Sequence, residues 1–124
     1  MKPVKIGVLG AGGMGRYHAA VLKKVVDVEL VGFHDVNPEA SGKAVEEFGG
    51  RVFETLRQLC VSGVDACIVA TPPQVHRDHV VEVAEGGVHI LCAKPIAMTL
   101  EEADDMIRMA RKNHVTLMVG QVLR

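Results

Sequence analysis

The run Ala66-Cys67-Ile68-Val69-Ala70 constrains the fold more than any other stretch, because all five residues are apolar. Successive side chains of a β-strand point to opposite faces, so this run has no polar face to show to water. It predicts a strand inside a parallel sheet that is covered on both sides. A chain carrying such a strand must supply helices for both faces.

The remaining sequence does so. Short β-branched runs at Val4 to Leu9, Val28 to Phe33, Arg51 to Phe53, Ala66 to Ala70, Val88 to Cys92 and Val115 to Val119 predict six strands. Between them lie helical stretches from about Gly13 to Lys24, Pro38 to Phe48, Thr55 to Cys60, Gln74 to Glu85 and Thr99 to Lys112. Pro38 suits a first helical turn, where its missing N–H would have had no partner. Gly49-Gly50 and Gly86-Gly87 stop the helices before them. Thr99 followed by Glu102 forms a capping box. Strands alternating with helices imply right-handed crossovers and an α/β fold.

The turn after the first strand reads Gly10-Ala11-Gly12-Gly13-Met14-Gly15, a G-x-G-x-x-G pattern between a strand and a helix. Gly10 permits the tight turn, Gly12 lets a pyrophosphate approach the backbone, and Gly15 lets the helix pack close to the sheet. The helix N-terminus offers unpaired N–H groups and a partial positive charge to phosphates. Asp35 ends the second strand, 20 residues beyond Gly15. A carboxylate there accepts the hydroxyls of an adenosine ribose and repels a 2′-phosphate, favouring NAD, with NADP as the alternative. His34 and Asn37 flank it. Methyltransferases that use the same turn carry an acid ahead of the first glycine, where this chain has Leu9. FAD domains are longer and interrupted.

These elements predict one domain, residues 1–124, with a three-layer doubly wound parallel sheet of six strands in the order 3-2-1-4-5-6, an NAD(P)-binding Rossmann fold. In such a sheet ligands bind beyond the carboxyl ends of the strands. The fourth strand runs into Thr71-Pro72-Pro73-Gln74-Val75-His76, and the fifth into Ala93-Lys94-Pro95. Thr71, Pro72, Pro73 and His76 are expected to line the crevice. Lys94 is expected at the end where nicotinamide and substrate meet.

Composition narrows the function classes. Hydrophobic residues make up 48%, which excludes disorder, and the formal net charge is −1. That balance argues against nonspecific nucleic-acid or anionic-membrane partners. No apolar run reaches the ~18 residues of a membrane span. The glycine-dense N-terminal run lacks a signal-peptide cleavage pattern. Three cysteines without CxxC spacing predict reduced thiols and a cytoplasmic location. His76, His79 and Cys92 lack a fourth metal ligand, and no metal site is expected. Arg16 is either a phosphate contact or a solvated side chain. His18, Cys67 and the methionines Met98, Met106 and Met109 read as packing residues.

Gly10 to His18, Ala70 to His76 and Val88 to Ala97 together resemble the N-terminal domain of the glucose-fructose oxidoreductase, inositol dehydrogenase and rhizopine-catabolism (Gfo/Idh/MocA) family. The resemblance covers essentially the whole chain. It implies an NAD(P)-dependent oxidoreductase that transfers hydride to or from a sugar or polyol hydroxyl. Lys94 matches the lysine of the family's Glu-Lys-Pro signature, which orients or polarises the reacting hydroxyl, and Lys94–Pro95 is expected to be cis. Ala93 stands where the family has Glu, so that carboxylate is missing. Family members continue past Arg124 into a second α/β domain that supplies substrate contacts. The chain is therefore read as lacking that domain and as inactive alone. The alternative is a non-enzymatic nucleotide-binding sensor. A homo-oligomer is compatible with both readings.

Overall fold

A computed structural model describes residues 2–120. Six parallel strands form one sheet: β1 (Val4–Leu9), β2 (Val28–His34), β3 (Arg51–Val52), β4 (Ala66–Val69), β5 (His89–Ala93) and β6 (Leu117–Gly120), in the order β3-β2-β1-β4-β5-β6. The five helices are α1 (Gly13–Leu22), α2 (Pro38–Phe48), α3 (Leu56–Cys60), α4 (His76–Glu85) and α5 (Leu100–Lys112). The fold is the doubly wound Rossmann type that the sequence predicts.

The layers follow from the side chains. Alternate residues of β1, β2 and β4 feed two cores. Val8, Phe33 and Ile68 pack with Ala19 and Ala44 against α1 and α2. On the other face Leu9, Cys67, Val69 and Ile90 meet Leu59, Val80, Val83 and Met106. Burying both faces of β4 accounts for its lack of polar residues. None of the described helices is long and apolar enough to cross a membrane.

Local chemistry sets the ends of the helices. Asn37 caps α2 by accepting from Glu39 N at 3.0 Å, and Thr99 caps α5 by accepting from Glu102 N at 3.1 Å. The Glu102 carboxylate reaches back to Met98 N at 3.1 Å. At the other end of α5, His114 adopts φ +57°, with His114 N donating to Arg111 O and Val115 N to Ala110 O. This is a Schellman stop built on a histidine in the usual glycine position.

Several boundaries move. β6 starts at Leu117 rather than Val115, because the chain leaves α5 through that stop before it can enter the sheet. β5 runs one residue later than expected, over His89–Ala93. α4 begins at His76, after a 3₁₀ turn over Pro73–Val75, because Pro73 holds the preceding Pro72 in extended backbone, ψ 147°, and delays the first helical turn. Met106 is buried and Met109 half-buried, but Met98 is 58% exposed, because it precedes α5 instead of riding on its inner face.

Candidate nucleotide-binding site

β1 ends between β2 and β4, and the chain must turn sharply there. Gly10 N donates to His34 O at 2.8 Å on one side, and Ala70 N donates to Leu9 O at 2.8 Å on the other. Gly10 has φ +101°, and a side chain would put its Cβ 2.7 Å from Ala70 O. Only glycine relieves both constraints. Gly15 lies behind the turn, where a Cβ would come 1.8 Å from Gly10 O. It sets how closely α1 packs on the turn and does not face the cleft. Gly12 and Gly13 differ, since nothing stands within 4 Å of a Cβ built at either one. Gly12 is the N-cap of α1 and provides no side-chain cap, and the first turn holds no acid. The first amides of α1 are thus left for a ligand.

Asp35 follows β2 directly. Its Oδ2 accepts from Ala11 N at 2.7 Å and its Oδ1 from Asn37 N at 2.9 Å. A carboxylate oxygen has two lone pairs, so each oxygen can still accept from an outside hydroxyl. His34 also borders the cleft, and its Nδ1 lies 2.8 Å from Phe53 O.

The opposite wall comes from β4 and β5. Thr71, Pro72 and Pro73 leave β4, and Ala93 and Lys94 leave β5, with the Lys94–Pro95 bond cis. These two walls and the glycine turn enclose a cleft of about 690 Å³. Gly10, Gly12, Gly13, Met14, Asp35, Thr71, Pro72, Pro73 and Lys94 all line it. His76 does not. It is buried beneath the β4 loop, and His79, one helical turn on, faces the cleft in its place. His79 Nδ1 lies 2.9 Å from Thr71 Oγ1. Burial, then the neighbouring His76, hold its pKa below the ordinary value, with Asp78 acting against them. His79, Val75 and Val36 are cleft residues that sequence reasoning missed. The G-x-G-x-x-G signature carries no signal for any of them.

Two other candidates resolve simply. Arg16 pairs with Glu47 of α2 on the surface. Cys67 is fully buried between β1 and β5, and burial raises its thiol pKa well above the ordinary range.

The chain can be placed among known proteins. The Gfo/Idh/MocA family model, described as an oxidoreductase family with an NAD-binding Rossmann fold, matches residues 4–121. Glucose-6-phosphate 3-dehydrogenase of Bacillus subtilis is 38% identical over 94% of this chain and 33% of its own length. UDP-N-acetylglucosamine 3-dehydrogenase of Acidithiobacillus ferrooxidans is 37% identical over 98% of this chain and 38% of its own. The crystal structure of the WlbA dehydrogenase from Bordetella pertussis, in complex with NADH and UDP-GlcNAcA, superposes with a TM-score of 0.91. It is 30% identical, over 96% of this chain and 35% of that one. The chain thus spans about a third of the length of the curated relatives it matches. It belongs to the Gfo/Idh/MocA oxidoreductase family and corresponds to that family's NAD-binding Rossmann fold.

Proposed function

We propose that the cleft holds NAD, with the pyrophosphate at Gly10 to Gly15, the adenosine ribose at Asp35 and the nicotinamide toward Lys94. In the whole protein this site serves hydride transfer to or from a hydroxyl of a sugar or polyol. One observation carries the reading: the uncapped amides of α1, a carboxylate with free lone pairs and the Lys94 ammonium all border one continuous cleft. The open space at Gly12 suits a pyrophosphate drawn against the backbone.

When bound, the dinucleotide supplies the hydride chemistry at its nicotinamide ring. The residues of this chain bind and orient. The amides of α1 donate to phosphate oxygens. Asp35 accepts the ribose hydroxyls, and its charge disfavours a 2′-phosphate. Pro72 and Pro73 stiffen one wall, and the Lys94 ammonium offers a donor to a reacting hydroxyl. Ala93 leaves the position before Lys94 without the carboxylate of the family signature.

The three unpaired, buried cysteines support a cytoplasmic setting. A homo-oligomer fits this reading as well as a monomer.

Calorimetric titration of the chain with NAD and NADP tests the assignment. NAD is expected to bind, and to bind more tightly than NADP. Absence of heat with both would overturn it, and tighter binding of NADP would overturn the role of Asp35.

A further inference from the structure

His76 is fully enclosed yet polar at both ends of its ring. Its Nε2 lies 2.5 Å from Thr71 O. A carbonyl oxygen can only accept, so this contact puts a ring proton on Nε2. Its Nδ1 lies 3.1 Å from Ile96 O and 3.3 Å from the Cys92 thiol. With the proton on Nε2, Nδ1 accepts from the Cys92 thiol, which burial keeps protonated, and Ile96 O, itself only an acceptor, packs against that edge of the ring without a hydrogen bond.

The partners are informative in sequence as well as in space. Cys92 stands two residues before Lys94 and Ile96 two residues after it. One ring therefore touches both shoulders of the exposed loop that carries the lysine. Its other end grips Thr71, the first residue beyond β4. His79 holds the same threonine by its hydroxyl. Helix α4 thus fixes Thr71 through two imidazoles, and one of these reaches on to the lysine loop.

We propose that His76 is a positioning residue that sets Lys94 against the β4 wall of the cleft without touching the ligand. This rests on the NAD reading of the cleft given above. Its Nε2 bond anchors the ring to one wall, and its Nδ1 face seats the Lys94 segment at a fixed distance from that wall. Loss of the ring frees the lysine loop at the nicotinamide end. The glycine turn and Asp35 lie across the cleft and stay in place.

The test compares NAD with ADP-ribose, which has the adenosine and pyrophosphate but no nicotinamide. Both are titrated into the unaltered chain, into His76→Leu and into His76→Gln, whose amide can replace the Nε2 donor but not the Nδ1 seat. The unaltered chain is expected to bind NAD more tightly than ADP-ribose. His76→Leu is expected to lose at least tenfold in NAD affinity with ADP-ribose changed less than twofold, and His76→Gln to fall between. Equal losses for both ligands, or no loss for either, would overturn the proposal. So would equal affinity of the unaltered chain for the two ligands. Failure of the unaltered chain to bind either ligand would instead overturn the NAD reading itself. If His76→Leu does not fold, His76→Gln decides by the same comparison.

Discussion

The Asp35 carboxylate accepts the Ala11 amide hydrogen at 2.7 Å, joining the end of β2 to the glycine turn that follows β1. The residue proposed to read the ribose therefore also holds the turn proposed to bind the pyrophosphate. Asp35→Ala removes both acceptors. A hydrogen bond to a charged group contributes about 1.5–3 kcal/mol, so NAD affinity is expected to fall about 10–100-fold by calorimetry. Asp35→Asn keeps one acceptor oxygen and loses the charge. It is expected to retain part of the NAD affinity and to narrow the gap between NAD and NADP.

The glycines of the turn are expected to separate folding from binding. Gly15→Ala forces a Cβ to within 1.8 Å of Gly10 O, and such overpacking costs about 1–3 kcal/mol. Its melting temperature should fall by several degrees. Gly12→Ala meets no protein atom within 4 Å. At an N-cap it should cost no more than about 1 kcal/mol, yet its methyl group enters the space proposed for the pyrophosphate. Thermal melts paired with NAD titrations check the contrast: Gly15→Ala moves the first measurement, and Gly12→Ala chiefly the second.

His114 sits in left-handed backbone at the stop of α5, with an exposed side chain. An L-residue pays roughly 1–2 kcal/mol there, which glycine avoids in exchange for greater freedom of the unfolded chain. His114→Gly is expected to stabilise the fold by about 0.5–1 kcal/mol, read from the urea midpoint at unchanged slope. A lower midpoint would contradict the cap.

The buried thiols give a pH dependence of definite sign. Burial raises Cys60 from 9.0 to about 11, helped by Glu82, and Cys92 from 9.0 to about 12. The folded state then binds more protons than the unfolded state once the pH exceeds 9. The stability they contribute is complete below pH 9 and is lost as the pH rises toward 12. Denaturant midpoints should decline across that window, and less so in Cys92→Ala. At pH 7.5 the native chain should react slowly with a thiol reagent and release three thiols on unfolding.

The sheet order and the glycine turn were legible because each follows from an absolute physical demand. β4 has no polar face, and Gly10 and Gly15 have no room for a side chain. The inner wall of the cleft was harder to read. Whether His76 or His79 faces the ligand depends on the phase of α4, and Pro72-Pro73 shift that phase by inserting a 3₁₀ turn before the helix. The stop at His114 was hidden for a similar reason, since a histidine with positive φ looks like any other histidine in sequence. Reading Met98 as a packing residue carries the helical spacing past the Thr99 cap, where it no longer applies.

The pairing of β1 with β4 has a kinetic corollary. Ile6 aligns with Ala66, so this central seam joins segments separated by 60 residues. Closing so long an intervening loop carries an entropic penalty that neighbouring contacts cannot refund in advance. The crevice straddles this seam, with Asp35 on one bank and Lys94 on the other. A chain in which this seam is still open cannot present both banks, so recognition of a dinucleotide would report that the seam has closed. A bound dinucleotide would, by mass action, hold the seam shut.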